Sequence, residues 1–127
     1  VLPQYLRHLE PPLKSAEETI ITPNIQERKQ RMIALSDAFV FLPGGLGTLD
    51  EFFEVLTEAQ LGVHSKPIVV INLKGYFDPL QAMLAHVIEN GFAGDKVLTH
   101  FKFVTSVDDA MDTVEAMLKA RVRPQIA

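Results

Sequence analysis

The 127-residue sequence has no cysteine. Disulfide bridges and thiolate zinc sites are thereby excluded. It has no block of like charges, and its formal net charge is −4. Nonspecific attraction to nucleic acid or to an anionic membrane surface is therefore not expected. Its longest apolar runs fall far short of the roughly 18 residues that a membrane span needs. A signal-peptide pattern, internal repeats and low-complexity segments are all missing. His8, His64, His86 and His100 show no metal-ligand spacing, so each is read as structural and no metal is expected. These absences point to a reducing, cytoplasmic setting.

What is present is apolar residue in quantity. At 47% it suffices for a core, and the length fits one domain over residues 1–127. The chain opens Val1-Leu2-Pro3, without Met, and reads as the end of an apolar strand. The expectation is the C-terminal piece of a longer protein. Residues 3–18 hold three of the eight prolines and read as a long loop. Thr19 to Thr22 is a short strand candidate. Asn24 is placed to cap a helix running to about Ser36, with Glu27 three residues on. Ala38 to Leu42 is a continuous apolar run, the pattern of a strand buried on both faces. A helix from Thr48 to about Gln60 follows, stopped by Gly62. Pro67 to Leu73 is a second buried strand, Pro79 to about Asn90 a helix with Gly91 at its C-terminus, Phe101 to Val104 a strand, and Val107 to about Arg121 a final helix. Alternating strands and helices predict an α/β fold, a doubly wound parallel sheet with helices on both faces. Ligands of such sheets bind at the carboxyl ends of strands. Pro43-Gly44-Gly45 and Asn72-Leu73-Lys74-Gly75 both lie there.

Three features bear on chemistry. Gly44, Gly45 and Gly47 follow a buried strand and precede a helix. Glycine permits positive φ and close backbone approach to a ligand, and helix N-terminal N–H groups attract anions. The same residues also serve as a plain tight turn. No Lys follows the last glycine and the spacing is not GxGxxG, which disfavours a nucleotide triphosphatase or a dinucleotide enzyme. Second, at about 100° per residue, Arg28 and Lys29 fall in the sector of Ile25, Met32, Ile33, Leu35 and Ser36. Either their stems lie along apolar surface with the heads in water, or they meet an anionic ligand. Third, the helix from Thr48 has Leu49, Phe52, Phe53, Leu56, Ala59 and Gln60 on one side and Glu51, Glu54 and Glu58 opposite. Periodicity does not separate a catalytic Glu51 from a solvated one that favours the helix dipole. Leu80, Met83, Leu84, Val87 and Ile88 form a core stripe, as do Met111, Val114, Met117 and Leu118.

Pro43-Gly44-Gly45-Leu46-Gly47-Thr48-Leu49-Asp50-Glu51 matches the motif PGGxGTxxE. Glu27-Arg28-Lys29 resembles the end of an MHERK element. Residues 59–67 (AQLGVHSKP) and 75–77 (GYF) resemble the AQLGIHxKP and GYY segments that follow. Together, in order over most of residues 1–104, these resemble the LONELY GUY (LOG) family of cytokinin riboside 5′-monophosphate phosphoribohydrolases. Its members have often been labelled possible lysine decarboxylases, though no pyridoxal-phosphate lysine context is visible here.

The resemblance implies a Rossmann-like fold and a homodimer with residues of both chains near the active site. It implies hydrolysis of the N-glycosidic bond of a nucleoside 5′-monophosphate, AMP or its N6-prenylated form, to free base and ribose 5-phosphate. It also implies a catalytic pair, Arg28 and Glu51, and no cofactor. Gly44, Gly45, Leu46, Gly47 and Thr48 would hold the phosphate, with Lys29, Glu10 and Thr57 as further substrate contacts. The family's earlier βαβ segment, with its own glycine-rich loop, precedes the part matched here. Ile25 and Gln26 replace the start of MHERK, and Glu58 stands where a Trp often precedes AQLG. Two other readings stay open: an AMP nucleosidase of general salvage, and a nucleotide-binding or carrier module without catalysis.

Overall fold

The structure is a computed structural model and describes residues 2–3, 21–22 and 24–122. Most of the expected 3–18 loop, with Glu10, lies outside the described residues. The chain divides into two compact units, Val1–Ser36 and Asp37–Ala127.

In the first unit, β1 (Leu2–Pro3) pairs in parallel with β2 (Ile21–Thr22), Leu2 opposite Ile21. Helix α1 (Ile25–Leu35) lies against both strands. Its start is the one the sequence predicts: the Asn24 side chain accepts a hydrogen bond from the Glu27 N–H at 2.8 Å. Ser36 ends it, with backbone N–H and hydroxyl both donating to the Met32 carbonyl.

The second unit is a β/α alternation. Strands β3 (Phe39–Phe41), β4 (Ile68–Ile71) and β5 (Lys102–Val104) form a parallel sheet in that order. Helices α2 (Leu46–Gln60), α3 (Asp78–Glu89) and α4 (Val107–Val122) connect or follow them. Register decides the faces. Phe41 is opposite Val70, and Val70 opposite Phe103, so these three share one face of the sheet. Phe52 of α2 meets Phe41 edge-on on that side, with ring centroids 5.5 Å apart, and meets Phe101 in the same way. Val69, Ile71 and Val104 lie on the other face and pack with Ala110, Val114 and Met117 of α4. Helices therefore cover both faces, as the alternation predicts. Strand β4, with all four residues buried, is the centre of the core.

Three expectations need correction. The strand run at 38–42 is not buried on both faces: Val40 is 37% exposed and Leu42 is exposed, while Phe41 is buried. Strand β3 ends the order of the described sheet, and the α4 apolar cluster reaches only β4 and β5 on Val40's face. In the core stripes, Met83 and Met111 are exposed, and Ala110 takes the buried place in α4. The third correction, in α2, concerns the site.

The connections follow ordinary chemistry. Gly62 and Gly91 adopt φ +79° just past α2 and α3, where glycine ends a helix at little cost. The Ser106 hydroxyl accepts from the Asp109 N–H at 3.1 Å and caps α4. His64 is structural, as read from the sequence. The Lys66 N–H donates to Nδ1 at 3.1 Å, which leaves Nε2 to donate to the Val55 carbonyl at 3.0 Å. The ring thereby ties the end of α2 to the approach of β4.

Candidate active site

The glycine segment sits at the carboxyl end of β3, and helix α2 begins at Leu46, two residues before Thr48. Gly45 is the N-cap, Gly47 lies in the first turn, and Thr48 is the third helical residue. The Leu49 N–H is the first to bond back, to the Gly45 carbonyl at 3.2 Å. The N–H groups of Leu46, Gly47 and Thr48 have no carbonyl one turn earlier in the helix to receive them. Gly45, Leu46 and Gly47 are exposed, Leu46 at 85%.

The other helices of the chain begin differently. Helix α1 has a side-chain cap and Glu27 in its first turn, α3 has Asp78, and α4 has Asp108, Asp109 and the Ser106 cap. Helix α2 has neither a side-chain cap nor an acidic residue in its first turn. Its positive end is therefore left uncompensated, which favours an incoming anion.

None of the three loop glycines has positive φ. Their value is space. A Cβ on Gly44 would overlap Thr48 Oγ1 and come within 3.0 Å of Thr48 Cβ. Gly45 and Gly47 each face open space, where a Cβ would meet no atom within 4 Å. The loop is thus closed by Thr48 at Gly44 and open at Gly45 and Gly47.

Helix α2 is also turned relative to the expected face. Phe52, Val55, Leu56 and Ala59 are buried, while Phe53 is 41% exposed and Gln60 is exposed. At about 100° per residue this moves the buried direction by roughly 60° toward the glutamates. Glu51, Glu54 and Glu58 are half-buried rather than opposite the core. The edge-on contacts of Phe52 with Phe41 and Phe101 are a rotational constraint that helical spacing alone does not contain. Because α2 begins at Leu46, Glu51 is also beyond the first turn, which removes the helix-dipole explanation for its presence. Glu51 stands three residues after Thr48, on a neighbouring face one turn further in.

In α1, Arg28, Lys29, Met32 and Ile33 are half-buried, and Gln26, Glu27, Gln30, Arg31 and Ala34 are exposed, as the helical spacing predicts. Leu35 departs from it and is exposed. The Arg28 Nε is buried with no hydrogen-bond partner among the described residues. A buried guanidinium N–H without an acceptor is costly unless a ligand supplies one.

The structure therefore gathers Gly44, Gly45, Leu46, Gly47 and Thr48 at one strand end, with Glu51 a turn beyond. Arg28 and Lys29 belong to the first unit, and Glu10 lies outside the described residues. Thr57 is exposed, roughly 13 Å past Thr48 at 1.5 Å per residue and on the other side of the helix. The site also contains a residue that the sequence reading leaves without a role: the Tyr76 hydroxyl donates to the Gly44 carbonyl. The signal was its place after β4, in the GYF segment, but that pattern names no partner. No group of three or more His, Asp or Glu able to hold a metal occurs among the described residues. No helix among them is long and apolar enough to cross a membrane.

Comparisons with known proteins agree with the family resemblance. A family profile described as "Possible lysine decarboxylase" matches residues 1–116. A cytokinin riboside 5′-monophosphate phosphoribohydrolase of Mycobacterium tuberculosis is 41% identical over 111 residues, 87% of this chain and 59% of that protein. One from Arabidopsis thaliana is 40% identical over 92 residues, 72% of this chain and 43% of that protein. A probable one from Oryza sativa is 42% identical over 92 residues, 72% of this chain and 41% of that protein. The chain thus spans less than two thirds of the length of these relatives. From the profile match and these relatives together, the chain belongs to the family labelled possible lysine decarboxylase, the LONELY GUY family.

Proposed function

We propose that this protein hydrolyses the N-glycosidic bond of adenosine 5′-monophosphates, with N6-substituted, cytokinin-type nucleotides as preferred substrates. The observation that carries the reading is the first turn of α2: three backbone N–H groups with no carbonyl one turn earlier in the helix, no side-chain cap and no acidic residue. Such an end suits a phosphate, and the 5′-phosphate of a nucleotide supplies one. The relatives, named cytokinin riboside 5′-monophosphate phosphoribohydrolases, support the substrate class.

In this scheme Gly44 to Thr48 hold the phosphate, and Lys29, Glu10 and Thr57 make further substrate contacts. Glu51 and Arg28 form the catalytic pair. Breaking the bond between C1′ and the base leaves cationic character on the sugar. The Glu51 carboxylate stabilises that charge, holds the ribose hydroxyls or takes a proton from the attacking water. The water oxygen joins C1′ as the base leaves with the bonding electron pair. One water proton stays on the new C1′ hydroxyl, the other ends on the base nitrogen, and the products are free base and ribose 5-phosphate. Arg28 acts electrostatically on the leaving base or on the phosphate, since a guanidinium does not readily give up a proton. Its buried Nε, without a hydrogen-bond partner among the described residues, supports a role toward a ligand. No metal or cofactor enters the scheme. The resemblance supports a homodimer, and the exposed Leu61 and Val63 after α2 offer apolar surface for a second copy. Composition supports a cytoplasmic setting.

The test is release of free base from AMP and from N6-isopentenyl-AMP, followed by chromatography, for the wild type and for Glu51→Gln. The expected result is faster release from the prenylated nucleotide, with turnover of the variant lower by about 10²- to 10⁴-fold. Equal or better release from AMP would identify general salvage instead. Binding of AMP without release of base would identify a carrier. Unchanged turnover in Glu51→Gln would remove Glu51 from the mechanism.

A further inference from the structure

We infer that Tyr76 is a latch on the glycine loop, a positioning residue that keeps the Gly44 carbonyl turned away from the anion site. The inference rests on the reading of the α2 N-terminus as the phosphate site. Gly44 and Gly45 flank one peptide bond, and neither has a Cβ. Such a peptide turns over readily, because the flip changes only ψ of Gly44 and φ of Gly45. It would carry Gly45 from its φ of −96° into positive φ, which glycine enters at little cost. The flipped peptide would point a carbonyl oxygen where it now points the Gly45 N–H. That oxygen would repel the phosphate that the α2 donors attract.

The hydrogen bond from the Tyr76 hydroxyl to the Gly44 carbonyl opposes this flip, across 32 residues of sequence. Tyr76 is itself held. Its ring meets Phe77 edge-on at 5.0 Å, and Phe77 is buried. The Phe77 N–H donates to Asn72 Oδ1 at 2.7 Å, and Asn72 Nδ2 donates to Asp78 Oδ1 at 2.9 Å. The Asn72 N–H donates to the Val104 carbonyl at 2.7 Å, which ties the assembly to the end of β5. The hydroxyl thus comes from a loop braced to the sheet, while its acceptor is in the most easily turned peptide of the glycine loop. Tyr76 is 51% exposed, so its hydroxyl adds little to the core.

The experiment is calorimetric binding of ribose 5-phosphate to wild type and to Tyr76→Phe, with the melting temperature of each unliganded protein. The ring and its Phe77 contact remain in the variant, so only the latch is lost. The expected result is ribose 5-phosphate affinity weaker by about three- to tenfold, the scale of one hydrogen bond, with the melting temperature within about 2 °C. In turnover of AMP the loss would fall on KM, with kcat little changed. Equal affinity in wild type and variant would overturn the latch while leaving the anion site standing. A variant melting more than about 5 °C lower would make the hydroxyl a packing element and overturn the latch as well. Failure of the wild type to bind ribose 5-phosphate would remove the phosphate site, and the latch with it.

Discussion

Two loops leave the same end of the same sheet and are built on opposite principles. The loop after β4 turns back on itself. Lys74 and Gly75 take positive φ, at 51° and 75°, and the Asn72 side chain bonds to Phe77 and Asp78. Its polar side chains are spent on its own shape. The loop after β3 does the reverse. No loop glycine needs positive φ, no side chain caps the helix, and Gly45, Leu46 and Gly47 at the start of α2 are exposed. A loop that satisfies itself gives rigidity, and a loop that leaves donors unmet gives affinity for something else. The Tyr76 bond to Gly44 joins the two, so that the rigid loop supports the receptive one.

Substitutions at one glycine in each loop should separate these roles. The larger effect belongs to Gly44→Ala. Its Cβ would overlap Thr48 Oγ1, so the loop or Thr48 must move. We expect a stability loss of about 1–3 kcal/mol in denaturant unfolding, together with loss of ribose 5-phosphate binding. The smaller effect belongs to Gly75→Ala, which forces alanine into positive φ and brings its Cβ to 2.7 Å from Asp78 Oδ2. Denaturant unfolding should show a loss of about 1–2 kcal/mol. Ribose 5-phosphate binding should weaken no more than in Tyr76→Phe, because the donors of α2 are untouched. A Gly75→Ala variant that binds as poorly as Gly44→Ala would erase the distinction between the loops.

Much of this was readable in the sequence, and what was readable was local. The Asn24 cap, the glycine stops at Gly62 and Gly91, and the placement of Arg28 and Lys29 on the inward side of α1 each depend on a few neighbouring residues. The glycine motif marked the strand end that the structure shows. What was not readable depends on partners distant in sequence. The rotation of α2, which brings Val55 inward and Phe53 outward, accompanies ring contacts to Phe41 and Phe101. The exposure of Val40 depends on how far α4 extends over the sheet. The start of α2 at Leu46 hid because glycine, the weakest side-chain signal for a cap, is the cap. The Tyr76 bond joins two loops that no periodic pattern links.

The central claim is that the first turn of α2 receives the phosphate of the substrate. Titration of ¹⁵N-labelled protein with ribose 5-phosphate, followed by amide NMR, tests it most directly. The account predicts that the amides of Leu46, Gly47 and Thr48 shift together and saturate, with the largest changes in the chain. Saturable shifts confined to other segments, with these three amides unmoved, would contradict it.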